Sequence, residues 1–260
     1  MIDRPAIFIT GAAAGIGRAT AEWYAARGWF VGLYDLAGSA CEGLRQKFGA
    51  EFAIAESLDV TDASAFEAAL TRFWARTGRL DVMFNNAGIL HTGEFAEMPL
   101  ARHHALVDVN LKGVINGAHA AFQYLKKTKC SCLINMASAS AINGTPAFAT
   151  YGATKFAVKG LTEALSIEWA RHGVRVMDLL PLFVATPMVN NVAVPPKSVG
   201  RLGVNLTAED IASAVWRASQ WKLWPRTHWY PGTQTQALAW SNKLLPALVN
   251  RISTKLVTGY

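Results

Sequence analysis

Residues 6–17 read Ala6-Ile7-Phe8-Ile9-Thr10-Gly11-Ala12-Ala13-Ala14-Gly15-Ile16-Gly17, an apolar run of strand length that breaks into a glycine-rich turn, and helical spacing follows from Arg18 to Arg27. Glycines there allow a tight reversal, close approach of the backbone to a pyrophosphate, and close packing of the next helix on the strand. The free N–H groups at the start of that helix would face the phosphates. The spacing is Gly-x3-Gly-x-Gly rather than the general Gly-x-Gly-x2-Gly. Gly11, Gly15, Ile16 and Gly17 are thus the candidate phosphate cradle; an ordinary tight connection is the alternative.

Outward from this turn, apolar runs of strand length recur at 30–34, 52–58, 81–85, 131–136 and 174–180, with helical spacing between them. Strands buried on both faces read as continuous apolar runs, as Phe30-Val31-Gly32-Leu33-Tyr34 does. The expectation is an α/β fold, a doubly wound, mostly parallel sheet of Rossmann type with helices on both faces. At 260 residues and 52% hydrophobic, the chain suits one large core, hence a single domain over 1–260. Ligands on such sheets bind at the carboxyl ends of the strands.

Those ends carry polar residues in series. Asp35 closes the second strand where an acid is expected to bind the adenosine ribose hydroxyls. Two like charges about 4 Å apart at an effective dielectric near 20 repel by about 4 kcal/mol. A 2′-phosphate beside Asp35 is therefore disfavoured, and NAD is the expected cofactor. Asp59-Val60 ends the third strand, with Asp59 placed either to accept from an adenine amino group or to cap the turn before Thr61-Asp62. Asn85-Asn86-Ala87-Gly88 ends the fourth, where Asn86, Ala87 and Gly88 are cofactor candidates or a plain turn. Beyond the fifth strand come Ser138 and Tyr151-Gly152-Ala153-Thr154-Lys155. Tyr and Lys four apart share one helix face. A tyrosine with an ordinary pKa near 10 is a poor base at neutral pH, and an adjacent ammonium favours its phenolate.

The Thr-Gly-x3-Gly-x-Gly turn, the Asn-Asn-Ala-Gly segment, Ser138 and the Tyr-x3-Lys pair together resemble the short-chain dehydrogenase/reductase family, compact single-domain branch, over roughly residues 5–190. The resemblance implies that Tyr151 is the general acid/base, that Ser138 hydrogen-bonds the substrate oxygen, and that Lys155 holds the nicotinamide ribose and lowers the Tyr151 pKa. It further implies that Asn110 anchors a water leading from Lys155 to solvent and that Val184 and Thr186 touch the nicotinamide carboxamide. Leu182 departs from the pattern, standing where the family often has glycine. The implied reaction interconverts an alcohol, secondary and largely apolar, and its ketone or aldehyde; a redox sensor or scaffold that keeps the cofactor fold without turnover is the alternative. His91, Ser140, Asn143, Phe148, Phe183 and Met188 are the candidate substrate-pocket residues.

Composition narrows the rest. The net charge of +7 is scattered rather than gathered in a basic stripe, which argues against nucleic acid. No apolar stretch reaches the roughly 18 residues of a membrane span, and no secretory leader is visible. Cys41, Cys130 and Cys132 form neither a disulfide framework nor a zinc site, so no metal is expected and buried or half-buried thiols in the cytoplasm are. A lid is expected at about 181–206 and a helical tail at about 240–257, where Leu244, Leu245, Leu248, Val249, Ile252 and Leu256 recur at helical spacing beside Lys243, Arg251 and Lys255. Such a stripe must be buried against the pocket lid, another subunit or a membrane surface. Among these, the family habit of forming homodimers and homotetramers favours the subunit, and only three cations with no aromatic on the apolar stripe make a membrane the least expected.

Overall fold

The computed structural model describes residues 2–190, Val192 and 196–260. Six strands stand on the apolar runs: β1 (Ala6–Thr10), β2 (Phe30–Asp35), β3 (Ala53–Ser57), β4 (Val82–Asn85), β5 (Cys132–Met136) and β6 (Arg175–Leu179). Helices α1 (Gly15–Ala25), α2 (Gly38–Phe48), α3 (Ala63–Thr77), α4 (Leu100–Val107), α5 (Gly113–Leu125) and α6 (Ala149–Glu168) connect them. A π-helical turn at Asp108–Lys112 joins α4 to α5.

The second half adds β7 (Val184–Ala185), α7 (Pro187–Asn190), α8 (Lys197–Leu202), β8 (Leu206–Thr207), α9 (Ala208–Gln220), β9 (His228–Trp229), α10 (Thr233–Leu244) and α11 (Ala247–Thr258). The main sheet has seven strands in the order β3-β2-β1-β4-β5-β6-β9, all paired parallel, and β7 pairs with β8 apart from it. The order reverses between β1 and β4, the switch point at which such sheets open a ligand crevice.

Alternation along each strand builds two cores. Ile7, Ile9, Val31 and Leu33 face a layer that includes Tyr24 and Trp216 of α1 and α9. Phe8, Phe30 and Tyr34 face the other way, against Phe66 and Phe73 of α3. Both faces are therefore covered, which is why the strands read as unbroken apolar runs. Helix α9 begins with a full capping box, the Thr207 side chain accepting from Asp210 N–H while Asp210 accepts from Thr207 N–H.

Three expectations change. The stretch expected as a lid holds short regular elements, β7, α7, α8 and β8, while Asn191 and 193–195 lie outside the described residues. The tail is two helices, because Pro246 cannot continue α10 and starts α11 instead. Its apolar stripe faces away from the rest of the chain. Finally, Cys130 is exposed and sits at φ 60° in a tight turn, although Cys41 and Cys132 are buried.

Candidate active site

The glycine turn is shaped by contacts that leave no room for side chains. Gly11 and Gly15 adopt φ of +68° and +51°. A Cβ at Gly17 would stand 1.9 Å from the Gly11 carbonyl oxygen, so this glycine serves the packing of α1 on the turn. No side chain caps the N-terminus of α1, and Gly15 and Ile16 line a cavity of about 470 Å³ there. Asp35 lies at the rim of the same cavity. Its carboxylate accepts from Ala13 N–H at 3.1 Å and Ala37 N–H at 3.0 Å, which fixes it beside the glycine turn.

The Asn-Ala-Gly segment is tied to β1. Asn86 donates from Nδ2 to the carbonyls of Thr10 and Gly11 at 3.0 and 3.2 Å. Thr10 Oγ1 in turn accepts from the N–H groups of Asn86 and Ala87 at 3.0 and 3.1 Å. One step further, the buried Asn110 clamps Ile89 through both atoms of its amide, accepting from Ile89 N–H at 2.8 Å and donating to Ile89 O at 2.9 Å. The π-helical turn around Asn110 widens the helix where this contact forms, a local distortion common at functional sites.

At the far side of the cavity stand Ser138, after β5, and Tyr151 and Lys155, on the first turns of α6. Lys155 is buried and donates from Nζ to the Met136 carbonyl at 2.8 Å; burial pulls its pKa down to about 8. Its ammonium lies 5.7 Å from the centroid of the Tyr151 ring. Burial raises the Tyr151 pKa, and the hydrogen bond with Ser138 offsets part of that rise. The rise runs against the expected lowering, and desolvation of the phenolate is its largest cause.

Most sequence candidates meet at this cavity. Gly11, Gly15, Ile16, Asp35, Asn86, Ala87, Gly88, Ser138, Ser140, Asn143, Phe148, Tyr151, Lys155, Phe183, Val184, Thr186 and Met188 all line it. Asp59, Val60 and His91 do not. Asp59 is exposed and accepts through Oδ1 from Thr61 N–H at 2.9 Å and from the Thr61 hydroxyl at 2.7 Å, contacts of the turn that do not engage its Oδ2. Asp62, not Asp59, caps α3. Val60 is a core residue packed against α3 and α5.

Other residues escaped the sequence reading. Asn242, Asn250, Thr254 and Thr258 of the tail line the cavity, and Leu182 is held by its N–H donating to Thr235 Oγ1 at 3.3 Å. No local motif marks these positions. Thr10, by contrast, is legible from the strand end that precedes the first glycine.

The cavity fits a dinucleotide at one end: a glycine cradle that a Cβ would fill, uncapped helix N–H groups, and an acid at the adenosine side. Among the described residues no cluster of His, Cys, Asp and Glu suits a metal. Comparison with known proteins agrees with this reading. The family model for short chain dehydrogenase matches residues 5–196. The chain is 34% identical over 188 residues to meso-2,3-butanediol dehydrogenase of Serratia marcescens, covering 72% of this chain and 74% of that protein. It is 34% identical over 190 residues to levodione reductase of Leifsonia aquatica, covering 71% of each. The solved structure of 3-ketoacyl-(acyl-carrier-protein) reductase from Brucella melitensis, complexed with NADH, superposes with a TM-score of 0.78 at 26% identity, covering 87% of this chain and 96% of that one.

Proposed function

Because the chain belongs to the short-chain dehydrogenase family, and is thereby an alcohol or ketone oxidoreductase using a nicotinamide cofactor, we propose that it is NAD(H)-dependent and acts on a secondary, largely apolar alcohol or its ketone or aldehyde. The observation that carries this is the meeting of Ser138, Tyr151 and Lys155 in one cavity with the glycine turn and Asp35. The nicotinamide supplies or accepts the hydride. Tyr151 Oη gives its proton to the carbonyl oxygen in reduction and receives it from the hydroxyl in oxidation. Ser138 holds the same substrate oxygen by hydrogen bond. Lys155 would hold the cofactor ribose, and its ammonium lies beside the Tyr151 ring. Asn110 fixes the segment after β4 through Ile89.

Asp35 supports NAD over NADP, since it faces the cavity and makes no ion pair among the described residues. The substrate end supports an apolar ligand. Phe148 and Phe183 stand 6.1 Å apart between ring centroids, and Met188 lies on the same wall. Among the described residues Lys155 is the only Lys or Arg lining the cavity. Lys197 and Arg201 instead serve the end of α11, where Arg201 donates to the Leu256 carbonyl and Lys197 lies against Gly259. A carboxylate or phosphate substrate thus finds no counter-ion.

The proposal extends to a single domain, supported by one continuous seven-stranded sheet, and to a homodimer or homotetramer, supported by Ile115, Phe156 and Ile167 exposed on α5 and α6. Three unpaired cysteines suit the cytoplasm. No described helix is long and apolar enough to cross a membrane.

A panel of secondary alcohols and ketones with NAD(H) and NADP(H), read by absorbance of the reduced cofactor, tests the reading together with Tyr151→Phe. The variant should keep NADH binding and lose on the order of 10²–10⁴ in turnover. Near-normal turnover would refute the assigned role.

A further inference from the structure

The tail reverses the usual orientation of an amphipathic helix. The inward side of α11 carries Asn250, Thr254 and Thr258, which line the cavity. Asn143 donates from Nδ2 to Thr254 Oγ1, and Asn242 donates from Nδ2 to the Ile142 carbonyl at 2.9 Å, so polar groups seat the tail. The outward side carries the apolar stripe: Leu244, Leu248 and Leu256 are 76%, 67% and 70% exposed, with Leu245, Val249 and Ile252 beside them. Trp240 is exposed at the near end, the Lys243 ammonium lying 5.8 Å from its ring centroid. So large a contiguous apolar face marks an interaction surface.

Charge identifies the partner. From Ile211 to Tyr260 the sequence contains no Asp or Glu, while it contains Arg217, Lys222, Arg226, Lys243, Arg251 and Lys255. Lys243, Arg251 and Lys255 flank the apolar stripe, and Lys197 and Arg201 gather at the end of α11. None of these five is in an ion pair among the described residues. Glu94 and Glu97 lie near the last residue of the tail, where Glu94 accepts from the Tyr260 hydroxyl. A second copy meeting this face across a two-fold axis would bring cation against cation. An anionic lipid surface meets both needs: headgroups pair with the cations, the acyl boundary buries the leucines, and tryptophan favours the interface between.

We propose that the outward face of α10 and α11 docks this protein on the surface of an anionic phospholipid bilayer. The tail that rims the cavity would then rest on lipid, with Leu245 both exposed and lining the cavity. A largely apolar substrate would enter from the bilayer side; this last consequence rests on the substrate class proposed above, while the docking does not.

The full-length protein is sedimented with large unilamellar vesicles of phosphatidylglycerol and phosphatidylcholine, and with phosphatidylcholine alone. It should pellet with the anionic vesicles only, and less so as salt rises. Lys243→Gln/Arg251→Gln/Lys255→Gln should weaken partitioning on the order of a hundredfold, and Leu248→Glu/Ile252→Glu should abolish it. All five positions are exposed, so both variants should keep the wild-type melting temperature. A wild type that stays in solution with anionic vesicles, or binds both vesicle types equally, overturns the proposal. So does a drop in molar mass by light scattering for Leu248→Glu/Ile252→Glu, which assigns the face to a second copy. Partitioning needs neither cofactor nor substrate, so failure of the NAD(H) reading would leave this result unchanged.

Discussion

At the scale of single residues, the site turns on atoms that have nowhere else to go. Gly17 is fixed by the Gly11 carbonyl oxygen, 1.9 Å from where a Cβ would stand. Since the obstacle is backbone, Gly17→Ala must push α1 off the turn. It should lose about 1–3 kcal/mol of stability and weaken NADH binding, as thermal melting and a fluorescence titration will show. Asp35 is held by two N–H donors, so Asp35→Asn, which removes charge and keeps an acceptor, isolates the electrostatic effect from the structural one. With a repulsion of about 4 kcal/mol at stake before screening, the ratio of kcat/KM for NAD over NADP should fall by tenfold or more. A wild type that prefers NADP would end the Asp35 account.

At the scale of elements, the edge strand β9 depends on a polar chain across α6, β6 and β9. Asp178 is fully buried in β6; His228 Nδ1 lies 2.8 Å from its Oδ1, and His228 Nε2 lies 2.9 Å from Glu163 Oε1. Lys159 also pairs with Glu163, at 2.6 Å. Burial, with Asp178 Oδ2 lacking any partner, pushes the Asp178 pKa up to about 6. Burial pulls His228 down, yet its hydrogen bond and charge contact with Asp178 raise it overall. Both groups hold a proton more tightly folded than unfolded. Their contribution to stability is therefore greatest at low pH and falls as pH rises, from the ordinary aspartate range through about 6 for Asp178 and past the ordinary histidine value for His228. Melting temperatures of wild type and Asp178→Asn, measured from pH 4.5 to 8, should show the steeper decline in the wild type. His228→Phe strands the buried carboxylate and should cost about 3 kcal/mol at neutral pH.

At the scale of the whole molecule, the two ends of the chain meet at one cavity. The N-terminal half supplies the glycine turn and the strand ends; the C-terminal helices close the substrate side with Asn242, Asn250 and Thr254. Ending the chain after Pro246 removes α11 and opens that wall. KM for the alcohol should rise by about tenfold, the equivalent of about 1.4 kcal/mol, while NADH affinity, set by α1 and Asp35, should change little. Steady-state kinetics beside a cofactor titration separates the two. Equal loss of both would mean that the tail supports the whole fold.

The sequence by itself determined whatever local chemistry fixes: six strands from apolar runs, the glycine turn, and the Ser138, Tyr151 and Lys155 set, because strand ends on a parallel sheet necessarily share one edge. It left Asp59 between two readings, and the contacts of Thr61, two residues away, form the turn through Oδ1 alone. Strand β9, two residues long, carries too little pattern to be read as sheet. The rise in the Tyr151 pKa also lay beyond reach, since its largest cause is burial by elements distant in the chain. The tail shows the limit most clearly. Its periodicity announced an amphipathic helix, but Pro246 split it, and only the tertiary structure decided which face turned inward. Polar partners on Asn143 and Ile142, more than 90 residues distant in the chain, hold the hydrophilic side against the cavity and leave the leucines outside.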